Sequence, residues 1–251
     1  MSDSLVLVTE EPPLAVVELN RKRQKNALSM ALRDELEVAL GALEADSRVK
    51  AVILTGGAEA FSAGFDLKEV IETDFRAFAH RAVEFTEKTY FFKKPLVVAV
   101  AGPAFAGGFD LALSGDVIVA AEGASFGRPE IRFGINTLMT KLWLRIGMPK
   151  ALQISLTGET LSAQQALAIG LVDKVVPAAE LLEQATAEAR RLARNPLGAL
   201  MAVKRAARAV PYMDVRSAIE YEFGLTGGIV AEGSVKQILR DYAKQVGIVR
   251  Q

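Results

Sequence analysis

The amino-acid sequence predicts an α/β fold with a helical C-terminal region. Up to Val176, short runs of aliphatic and β-branched residues alternate with amphipathic segments of helical periodicity. This alternation is typical of strands joined by crossover helices in a mostly parallel sheet. Beyond Val176 the β-rich runs stop and the remaining segments show helical patterns only. We therefore expect a core over residues 1–190 and a helical region over residues 191–251.

The first predicted elements are a hairpin followed by a strand–helix–strand unit. The runs LVLVTE and LAVVELN are separated by Pro12 and Pro13, which favours two strands joined by a turn. The basic segment RKRQKN is expected to be a loop, and KAVILTGG a short buried strand that ends in glycines. Between them, one segment places five apolar residues at near-helical spacing: Leu32, Leu36, Val38, Leu40 and Leu43.

The alternation continues through the middle of the chain and then gives way to helices. FRAFAHRAVEFTEKTYFF predicts a helix, PLVVAVAG a strand, GGFDLALSG the start of a further helix, and DVIVAAEG a strand. The C-terminal segments predict helices with apolar faces, and Pro196 and Pro211 stand where a helix can begin. Such faces have to be covered by the core or by a neighbouring subunit, so we expect an oligomer.

The composition excludes several kinds of chemistry. Thirty basic and thirty acidic residues give a formal net charge of zero, so no global field attracts nucleic acid or an anionic membrane. The chain has no cysteine, and His80 is its single histidine, which removes thiolate nucleophiles, most Ser-His-Asp arrangements and the usual zinc ligands. His80 itself lies in an amphipathic segment that favours a helix-surface or packing role. We therefore expect no metal, and chemistry that depends on carboxylates and backbone groups.

No segment of the sequence predicts export or membrane insertion. The N-terminal stretch MSDSLVLVTEEPPLAV lacks the features of a signal peptide. The longest apolar run begins at Pro95, but Pro103 and glycines interrupt it before it reaches the roughly 20 residues of a spanning helix. We expect a cytoplasmic protein with no membrane partner and no nucleic-acid partner.

Two seven-residue stretches nearly repeat each other: FSAGFDL at residues 61–67 and FAGGFDL at residues 105–111. Neither is a nucleotide-binding loop, because Gly108 and Phe109 stand where Lys and Ser/Thr are needed and no G-x-G-x-x-G follows a strand. Each follows a predicted strand, where backbone N–H groups are unpaired. Two such loops facing one point can hold an oxyanion. The spacing also permits two strand-to-helix turns that use glycine for steric reasons.

Five motifs between Asn20 and Pro177 carry a resemblance to a known family. In order they are NRKRQKNALS, FSAGFDLKE, AGPAFAGGFDLALSGD, ASFGRPEIRFGI and LTGETLSAQQALAIGLVDKVVP. They are similar to the successive motifs of the enoyl-CoA hydratase/isomerase (crotonase) superfamily. The resemblance implies a crotonase-like spiral of repeated ββα units with a helical C-terminal oligomerisation region. It also implies a homotrimer or a hexamer made of two trimers, an acyl-CoA substrate, and no cofactor besides the coenzyme A of that substrate.

The resemblance further assigns residues to a site. The backbone N–H groups of Phe65 and Gly107 match the oxyanion donors that hold a thioester carbonyl, and Asp110 and Glu130 match the acid/base carboxylates. The positions that match coenzyme A contacts are Arg23, Lys25, Ala63, Asp66, Leu67, Lys68 and Phe105. Without the resemblance, Asp110 also suits the first turn of a helix through the dipole alone, and Glu130 and the basic loop suit solvated surface.

The resemblance implies hydration of a trans-2-enoyl-CoA, and three alternatives stay open: isomerisation of the double bond, hydrolysis or dehalogenation of an acyl-CoA, and a non-catalytic relative that binds RNA or a protein. The retained carboxylate pair favours hydration. Asp110 replaces the glutamate usual in hydratases, and the segment NTLMTKLWLRIG replaces their glycine-rich turn; both differences favour isomerisation. Lys22 in NRK and the C-terminal GSVKQILRDYAKQ also depart from the family pattern.

Overall fold

The computed structural model describes residues 4–231 and 234–246. Over this part the chain has the predicted α/β architecture followed by helices. It divides into two compact units with the boundary after Ala193, so the boundary expected near residue 190 falls in the last turn of a helix, Leu181–Ala193. Residues 1–3, 232–233 and 247–251, which belong to the two predicted regions, lie outside the described residues.

The strands are short and spread along the first unit. They are β1 (Val6–Glu11), β2 (Leu14–Leu19), β3 (Ala51–Thr55), β4 (Leu96–Val100), β5 (Pro103–Phe105), β6 (Val117–Ala121), β7 (Ser125–Gly127), β8 (Thr160–Ser162) and β9 (Lys174–Val176).

Helices connect these strands and form the second unit. They are α1 (Met30–Ala45), α2 (Leu67–Glu72), α3 (Phe75–Tyr90), α4 (Gly107–Ala112), α5 (Thr140–Ile146), α6 (Met148–Thr157), α7 (Ala163–Ala168), α8 (Leu181–Ala193), α9 (Leu197–Ala209), α10 (Val215–Ala231) and α11 (Ser234–Gln245). Short 3-10 helices occur at Lys22–Gln24, Pro129–Phe133, Ala178–Glu180 and Val210–Tyr212.

Among the described residues the strands form two sheets. The larger sheet has the order β1-β2-β3-β4-β6-β9, in which β1 and β2 are the predicted antiparallel hairpin and all later neighbours are parallel. The smaller sheet has the order β5-β7-β8. Every residue of β3 and β4 is buried, which explains their continuous apolar sequences, because helices cover both faces of a parallel sheet.

Helices α1 and α8 pack in different parts of the apolar core. Leu32, Leu36, Leu40 and Leu43 of α1 are buried in one hydrophobic cluster, as their spacing predicts. Val38 was grouped with these four residues by its spacing, but it is 73% exposed. It stands two residues from both Leu36 and Leu40, which places it about 200° around the helix from them.

Helix α8 contacts β3, β4 and β6 through small side chains. Ala185 and Ala189 have no exposed surface and pack in the cluster that includes Ile53 and Val97. Alanine at these positions lets the helix backbone approach the sheet closely, so the spacing between helix and sheet has no room for a larger side chain.

The second unit is helical, as predicted from its sequence. Helix α9 begins directly after Pro196, and Pro211 lies inside the 3-10 helix Val210–Tyr212. Helix α10 begins four residues after Pro211, where Asp214 accepts a hydrogen bond from the Ser217 N–H. No helix in the described part of the chain is long and apolar enough to cross a membrane.

The packing of α8 predicts a position-specific loss of stability. Ala185→Leu should lower the free energy of unfolding by about 1–3 kcal/mol, because the added carbons have to displace buried neighbours. Ala187→Leu, on the exposed side of the same helix, is the matched control and should change it by less than about 0.5 kcal/mol. Urea denaturation followed by circular dichroism measures both. Equal effects of the two variants would contradict the close packing of α8.

Candidate active site

The two glycine-containing stretches leave the sheet side by side. Residues 56–66, here called the first loop, follow the end of β3 at Thr55, and residues 101–106, the second loop, follow the end of β4 at Val100. Strands β3 and β4 pair in parallel, with Thr55 opposite Ala99. Both loops therefore emerge at the same edge of the sheet, where ligands commonly bind in α/β proteins.

Hydrogen bonds and close contacts join the two loops. The Phe61 and Ser62 N–H groups both donate to the Pro103 carbonyl at 3.1 Å, and the Phe105 N–H donates to the Ser62 carbonyl at 3.0 Å. Gly64 has φ +96°, and a Cβ there would lie 2.7 Å from the Phe105 carbonyl oxygen and 3.1 Å from the Gly107 nitrogen. The glycine is therefore required by both its conformation and the proximity of the second loop.

The two predicted oxyanion donors are neighbours. A Cβ on Gly107 would lie 2.7 Å from ring carbons of Phe65, so the Phe65 ring covers the Gly107 Cα. Within the described residues, neither the Phe65 nor the Gly107 N–H donates a hydrogen bond to another protein group. Helix α4 begins at Gly107, where the first N–H groups of a helix lack helical partners. Two unpaired backbone donors therefore lie at adjoining parts of the two loops.

Ala106, immediately before α4, has an unusual backbone conformation. Its φ of +50° and ψ of −125° are rare for a residue with a side chain. Its N–H donates to the Gly127 carbonyl at 3.0 Å, and its carbonyl accepts from the Asp110 N–H at 3.1 Å. These bonds to β7 and α4 maintain the conformation, whose strain is of order 1–3 kcal/mol.

Asp110 and Arg128 form a buried ion pair. Asp110 lies on α4, one turn after Gly107, and is 5% exposed, whereas Arg128 follows β7 and has no exposed surface. The Arg128 Nη2 donates to Asp110 Oδ1 at 2.6 Å, and the guanidinium lies 5.1 Å from the centre of the Phe109 ring. The Arg128 Nε and Nη1 have no protein acceptor in the described part of the chain. Sequence reasoning missed Arg128, although it stands two residues before Glu130 in a quoted motif.

Glu130 lies in the 3-10 helix Pro129–Phe133, two residues after Arg128. Its Oε2 is buried and has no donor among the described residues. Burial is the main cause that raises the pKa of Glu130, and the charge of Asp110 raises it further, against smaller opposing effects of a backbone hydrogen bond and of Arg128. The charge of Asp110 thus acts on Glu130, but only Asp110 is hydrogen-bonded to Arg128.

Lys141 is a second buried cation beside Asp110. Its Nζ donates to the Asp110 carbonyl at 3.1 Å and to the Ser114 hydroxyl at 2.8 Å, and lies 5.3 Å from the centre of the Tyr90 ring. Lys141 belongs to α5, in the segment that departs from the family pattern. That departure was the only sequence signal for it. The altered segment therefore contributes a cation to the surroundings of Asp110.

Asn26 holds the basic loop against the first loop. Its Nδ2 donates to the carbonyls of Gly56, Ala60 and Phe61 at 2.8–3.1 Å, and its Oδ1 accepts from the Arg21 N–H at 2.9 Å. The side chain is 1% exposed. An amide is needed here because it presents donors to the carbonyls and an acceptor to the N–H.

The predicted coenzyme A contacts fall into two groups. Arg23, Lys25, Ala63, Leu67 and Lys68 are exposed. The basic loop adjoins the first loop directly, since the Ala63 N–H donates to the Lys25 carbonyl at 2.9 Å. Phe105 is half-buried in β5, where its ring lies 3.2 Å from the position of a Cβ on Gly127. The structure therefore places the predicted basic residues beside the first loop, and Phe105 in the second loop.

Asp66 has protein partners of its own. It accepts a hydrogen bond from Arg21 Nη1 at 2.6 Å and caps α2 by accepting from the Lys68 N–H at 3.0 Å. Burial acts to raise the pKa of Asp66, but the hydrogen bonds from Arg21 and the Lys68 N–H outweigh it and lower that pKa. Arg21, which sequence reasoning did not select from the basic loop, is thus the residue that fixes Asp66.

Arg33 is a further buried cation near the first loop that sequence reasoning missed. Its guanidinium lies 5.4 Å from the centre of the Phe65 ring and 5.6 Å from that of Phe78, and its Nη2 is 3.7 Å from Glu69 Oε2. Burial is the largest cause that lowers its pKa, and Glu69 opposes it.

The described residues contain no group of three acidic or histidine side chains arranged to hold a metal ion.

Sequence comparison identifies the family. A profile described as enoyl-CoA hydratase/isomerase matches residues 9–246. The chain belongs to the enoyl-CoA hydratase/isomerase family. This confirms the resemblance drawn from the five motifs, and the match extends through the C-terminal helices.

Members of the enoyl-CoA hydratase/isomerase family resemble this chain over most of its length. The short-chain-enoyl-CoA hydratase of Clostridium acetobutylicum is 34% identical over 224 residues, which cover 86% of each chain. The 2,3-dehydroadipyl-CoA hydratase of Escherichia coli is 38% identical over 209 residues, 82% of each chain. A crystal structure of an enoyl-CoA hydratase from Bacillus anthracis superimposes with a TM-score of 0.90 at 31% identity, covering 96% of this chain and 97% of that one.

The strain at Ala106 predicts a stabilising substitution. Ala106→Gly should raise the free energy of unfolding by about 1 kcal/mol, because the relief of strain exceeds the added entropy of glycine in the unfolded chain. Ala104→Gly, two residues earlier in β5, is the control and should lower it by about 1 kcal/mol. Thermal denaturation of both variants measures the difference. A destabilised Ala106→Gly would contradict the strain.

Proposed function

We propose that the protein is a lyase, an enoyl-CoA hydratase, which adds water across the double bond of a trans-2-enoyl-CoA thioester. One observation carries this proposal: two unpaired backbone donors, Phe65 and Gly107, adjoin a pair of electrostatically coupled carboxylates, Asp110 and Glu130. Gly107 and Asp110 are three residues apart in α4, so they share one face of that helix. Family membership and the relatives named as hydratases support the same reaction.

The two backbone donors account for activation of the substrate. When water attacks Cβ, the electrons of the double bond move toward the thioester, and negative charge develops on its carbonyl oxygen. Donors that are already oriented stabilise this enolate without reorganisation, and each contributes about 3–4 kcal/mol. Because these donors belong to the backbone, the size of the Phe65 side chain does not interfere with its role.

The carboxylates account for the movement of protons. Hydration requires that a proton leave the attacking water and that a proton reach Cα. Asp110 accepts a hydrogen bond from the Arg128 guanidinium, and burial raises the pKa of Glu130. A carboxyl group with a raised pKa is suited to proton exchange near neutral pH.

The exposed cations near the first loop suit the polyanionic coenzyme A part of the substrate. We place the phosphates of the coenzyme A moiety against Arg23, Lys25 and Lys68. Contacts from Ala63, Asp66, Leu67 and Phe105 complete the proposed thioester and nucleotide site. Since coenzyme A is part of the substrate, the reaction needs no separate cofactor. A cytoplasmic location remains a prediction from the sequence.

Isomerisation of an enoyl-CoA double bond is the second candidate. The Asp110–Arg128 ion pair favours it, because a single mobile carboxylate, Glu130, suffices to shift a proton along an acyl chain. The absorbance of the conjugated enoyl thioester separates the two activities. Its decrease with crotonyl-CoA indicates hydration, whereas its increase with a 3-enoyl-CoA and no change with crotonyl-CoA would replace the hydratase proposal with the isomerase.

Replacement of Glu130 tests both its role in proton transfer and the effect of its raised pKa on the stability of the fold. Glu130→Gln should lower kcat by about 10²- to 10⁴-fold, since the amide cannot exchange the proton. The raised pKa means that the folded protein binds more protons than the unfolded chain between the two pKa values, so the stability of the wild type falls as pH rises through that range. The stability of Glu130→Gln relative to the wild type should therefore increase as the pH rises above 4.5, the ordinary pKa of a glutamate side chain.

Steady-state kinetics with crotonyl-CoA and thermal denaturation at several pH values provide the measurements. Glu122→Gln, at an exposed position after β6, is the control and should leave kcat unchanged. Full turnover by Glu130→Gln in both the hydratase and the isomerase assay would contradict the proposed mechanism.

Replacement of the exposed cations tests the coenzyme A site. Arg23→Ala combined with Lys68→Ala should raise KM for crotonyl-CoA about tenfold or more and change kcat by less than about threefold, because the phosphates bind equally in ground and transition states. Arg190→Ala, at an exposed position of α8, is the control. An unchanged KM would exclude these residues from phosphate binding.

We also propose that the C-terminal helices assemble the protein into a homotrimer or a dimer of trimers. Several large apolar side chains of α9 to α11 are exposed in the single chain: Val203, Val215, Ile219, Phe223, Ile238, Leu239 and Tyr242. Exposed apolar groups of this kind mark subunit contacts.

Light scattering at micromolar concentration should therefore give three or six times the 27.0 kDa chain mass. Phe223→Glu should shift the distribution toward smaller species, because it places a charge among the exposed apolar groups. A monodisperse wild-type monomer would overturn the proposed assembly.

A further inference from the structure

Arg33, near the start of α1, is a buried cation that has no part in the proposed reaction. It has no exposed surface, and its Nη1 and Nη2 have no hydrogen-bond acceptor among the described residues. Its Nε donates to the Ser29 carbonyl at 3.4 Å, within the same helix start. Glu69 Oε2 is 3.7 Å from Nη2, which is too far for a hydrogen bond, and accepts instead from the Met30 N–H at 2.8 Å.

The charge of Arg33 is unfavourable for the fold. Burial is the largest cause that lowers the pKa of Arg33, and the attraction of nearby carboxylates such as Glu69 does not offset it. A lowered pKa means that the folded state holds this proton less tightly than the unfolded chain does. An apolar side chain of similar size would avoid the cost of burying an incompletely paired cation. Stability alone therefore does not account for an arginine at this position.

The side chain of Arg33 contacts the residue that supplies one of the predicted oxyanion donors. Its guanidinium lies 5.4 Å from the centre of the Phe65 ring and 5.6 Å from that of Phe78. The two rings are 5.3 Å apart, edge to face. A cation is attracted to aromatic rings, most strongly where water is excluded. The Phe65 ring is thus held by Arg33 and Phe78, and it also covers the Cα of Gly107.

The backbone N–H of Phe65 is oriented from the same helix start. The N–H of Leu28, two residues before α1, donates to the Gly64 carbonyl at 2.7 Å. The Gly64 carbonyl and the Phe65 N–H belong to one planar peptide unit, in which they point in opposite directions. A hydrogen bond to that carbonyl therefore fixes the plane in which the Phe65 N–H lies. The contact of the Phe65 ring with Arg33 is a second restraint on the same residue.

We propose that Arg33 is a positioning residue for the oxyanion donor Phe65: its guanidinium holds the Phe65 ring against the Gly107 Cα and so keeps the Phe65 and Gly107 N–H groups directed at one carbonyl oxygen. This inference rests on the proposed function. Stabilisation of an enolate requires both donors at hydrogen-bond distance, and a small displacement of one of them is costly to the rate.

The stretching frequency of a bound thioester carbonyl measures this alignment without turnover. Butyryl-CoA labelled with ¹³C at the carbonyl has no double bond to hydrate, and infrared difference spectra of the labelled and unlabelled ligand isolate its C=O band. Hydrogen bonds to the oxygen weaken the C=O bond and lower that frequency. The band should lie at lower frequency on the wild type than in water. On Arg33→Met, saturated with the same ligand, most of this displacement should be lost.

Kinetics and stability give two further measurements on Arg33→Met. With crotonyl-CoA its kcat should fall by about 10- to 100-fold and its KM should stay within about threefold, because coenzyme A binding does not depend on the donor alignment. Its melting temperature should equal or exceed that of the wild type, since the buried cation is gone. Arg33→Lys keeps the charge without the planar group and should give an intermediate band and kcat. Arg76→Met, at an exposed position of α3, is the control and should change none of these quantities.

A double-mutant cycle tests whether Arg33 acts through the Phe65 ring. Phe65→Leu removes the ring but keeps the backbone N–H. In the Phe65→Leu background, Arg33→Met should change kcat by less than about threefold and should leave the carbonyl band in place, because the ring that Arg33 holds is absent.

The outcomes separate a positioning role from a structural one. Loss of folding or a lower melting temperature in Arg33→Met would show that Arg33 serves the fold, and would overturn the proposal. An unchanged carbonyl band, or equal losses of kcat in the two backgrounds, would also overturn it. A wild-type band at the same frequency as in water would contradict the oxyanion donors themselves. A wild type that lowers the frequency but does not hydrate crotonyl-CoA would reject the hydratase proposal, and the band of Arg33→Met would still decide the role of Arg33.

Discussion

The parallel pairing of β3 and β4 is the constraint on which the site depends. Because the two strands are neighbours and run in the same direction, the loops that follow Thr55 and Val100 leave the sheet together. The hydrogen bonds to the Pro103 carbonyl and the close approach of Gly64 to Gly107 both require that the two loops lie side by side. The two predicted oxyanion donors, Phe65 and Gly107, thus lie on loops that the sheet brings together.

The second feature that organises the site is the placement of buried charge. Arg128 and Lys141 lie in separate segments, the residue directly after β7 and the first turn of α5, and both donate hydrogen bonds to Asp110. Burial of a cation is costly unless a partner compensates it, so these two residues and Asp110 depend on one another. Glu130 takes no part in these hydrogen bonds. The two carboxylates therefore differ in that Asp110 is bound to a buried cation, whereas Glu130 Oε2 has no protein donor among the described residues.

Periodicity and turn chemistry predicted the hairpin, the alternation of strands with helices and the helical C-terminal region, because these are local properties of the chain. Val38 was misplaced because a list of apolar residues at near-helical spacing ignored its angle around α1. The roles of Arg128 and Lys141 were not predictable in this way, since each acts through a partner 18 or 31 residues away that only the fold brings near. The hydrogen bond from Arg21 to the Asp66 carboxylate was likewise not predictable from the resemblance, which assigns Asp66 only to the substrate. The roles assigned to the site residues stay predictions.

The contact between the Phe65 ring and the Gly107 Cα limits how this protein can change over time. A Cβ at position 107 would lie 2.7 Å from the Phe65 ring, so any larger residue there requires the ring to shift or to be replaced by a smaller side chain. Positions 65 and 107 are therefore expected to change together, because of a steric contact that is independent of any selection on the reaction itself.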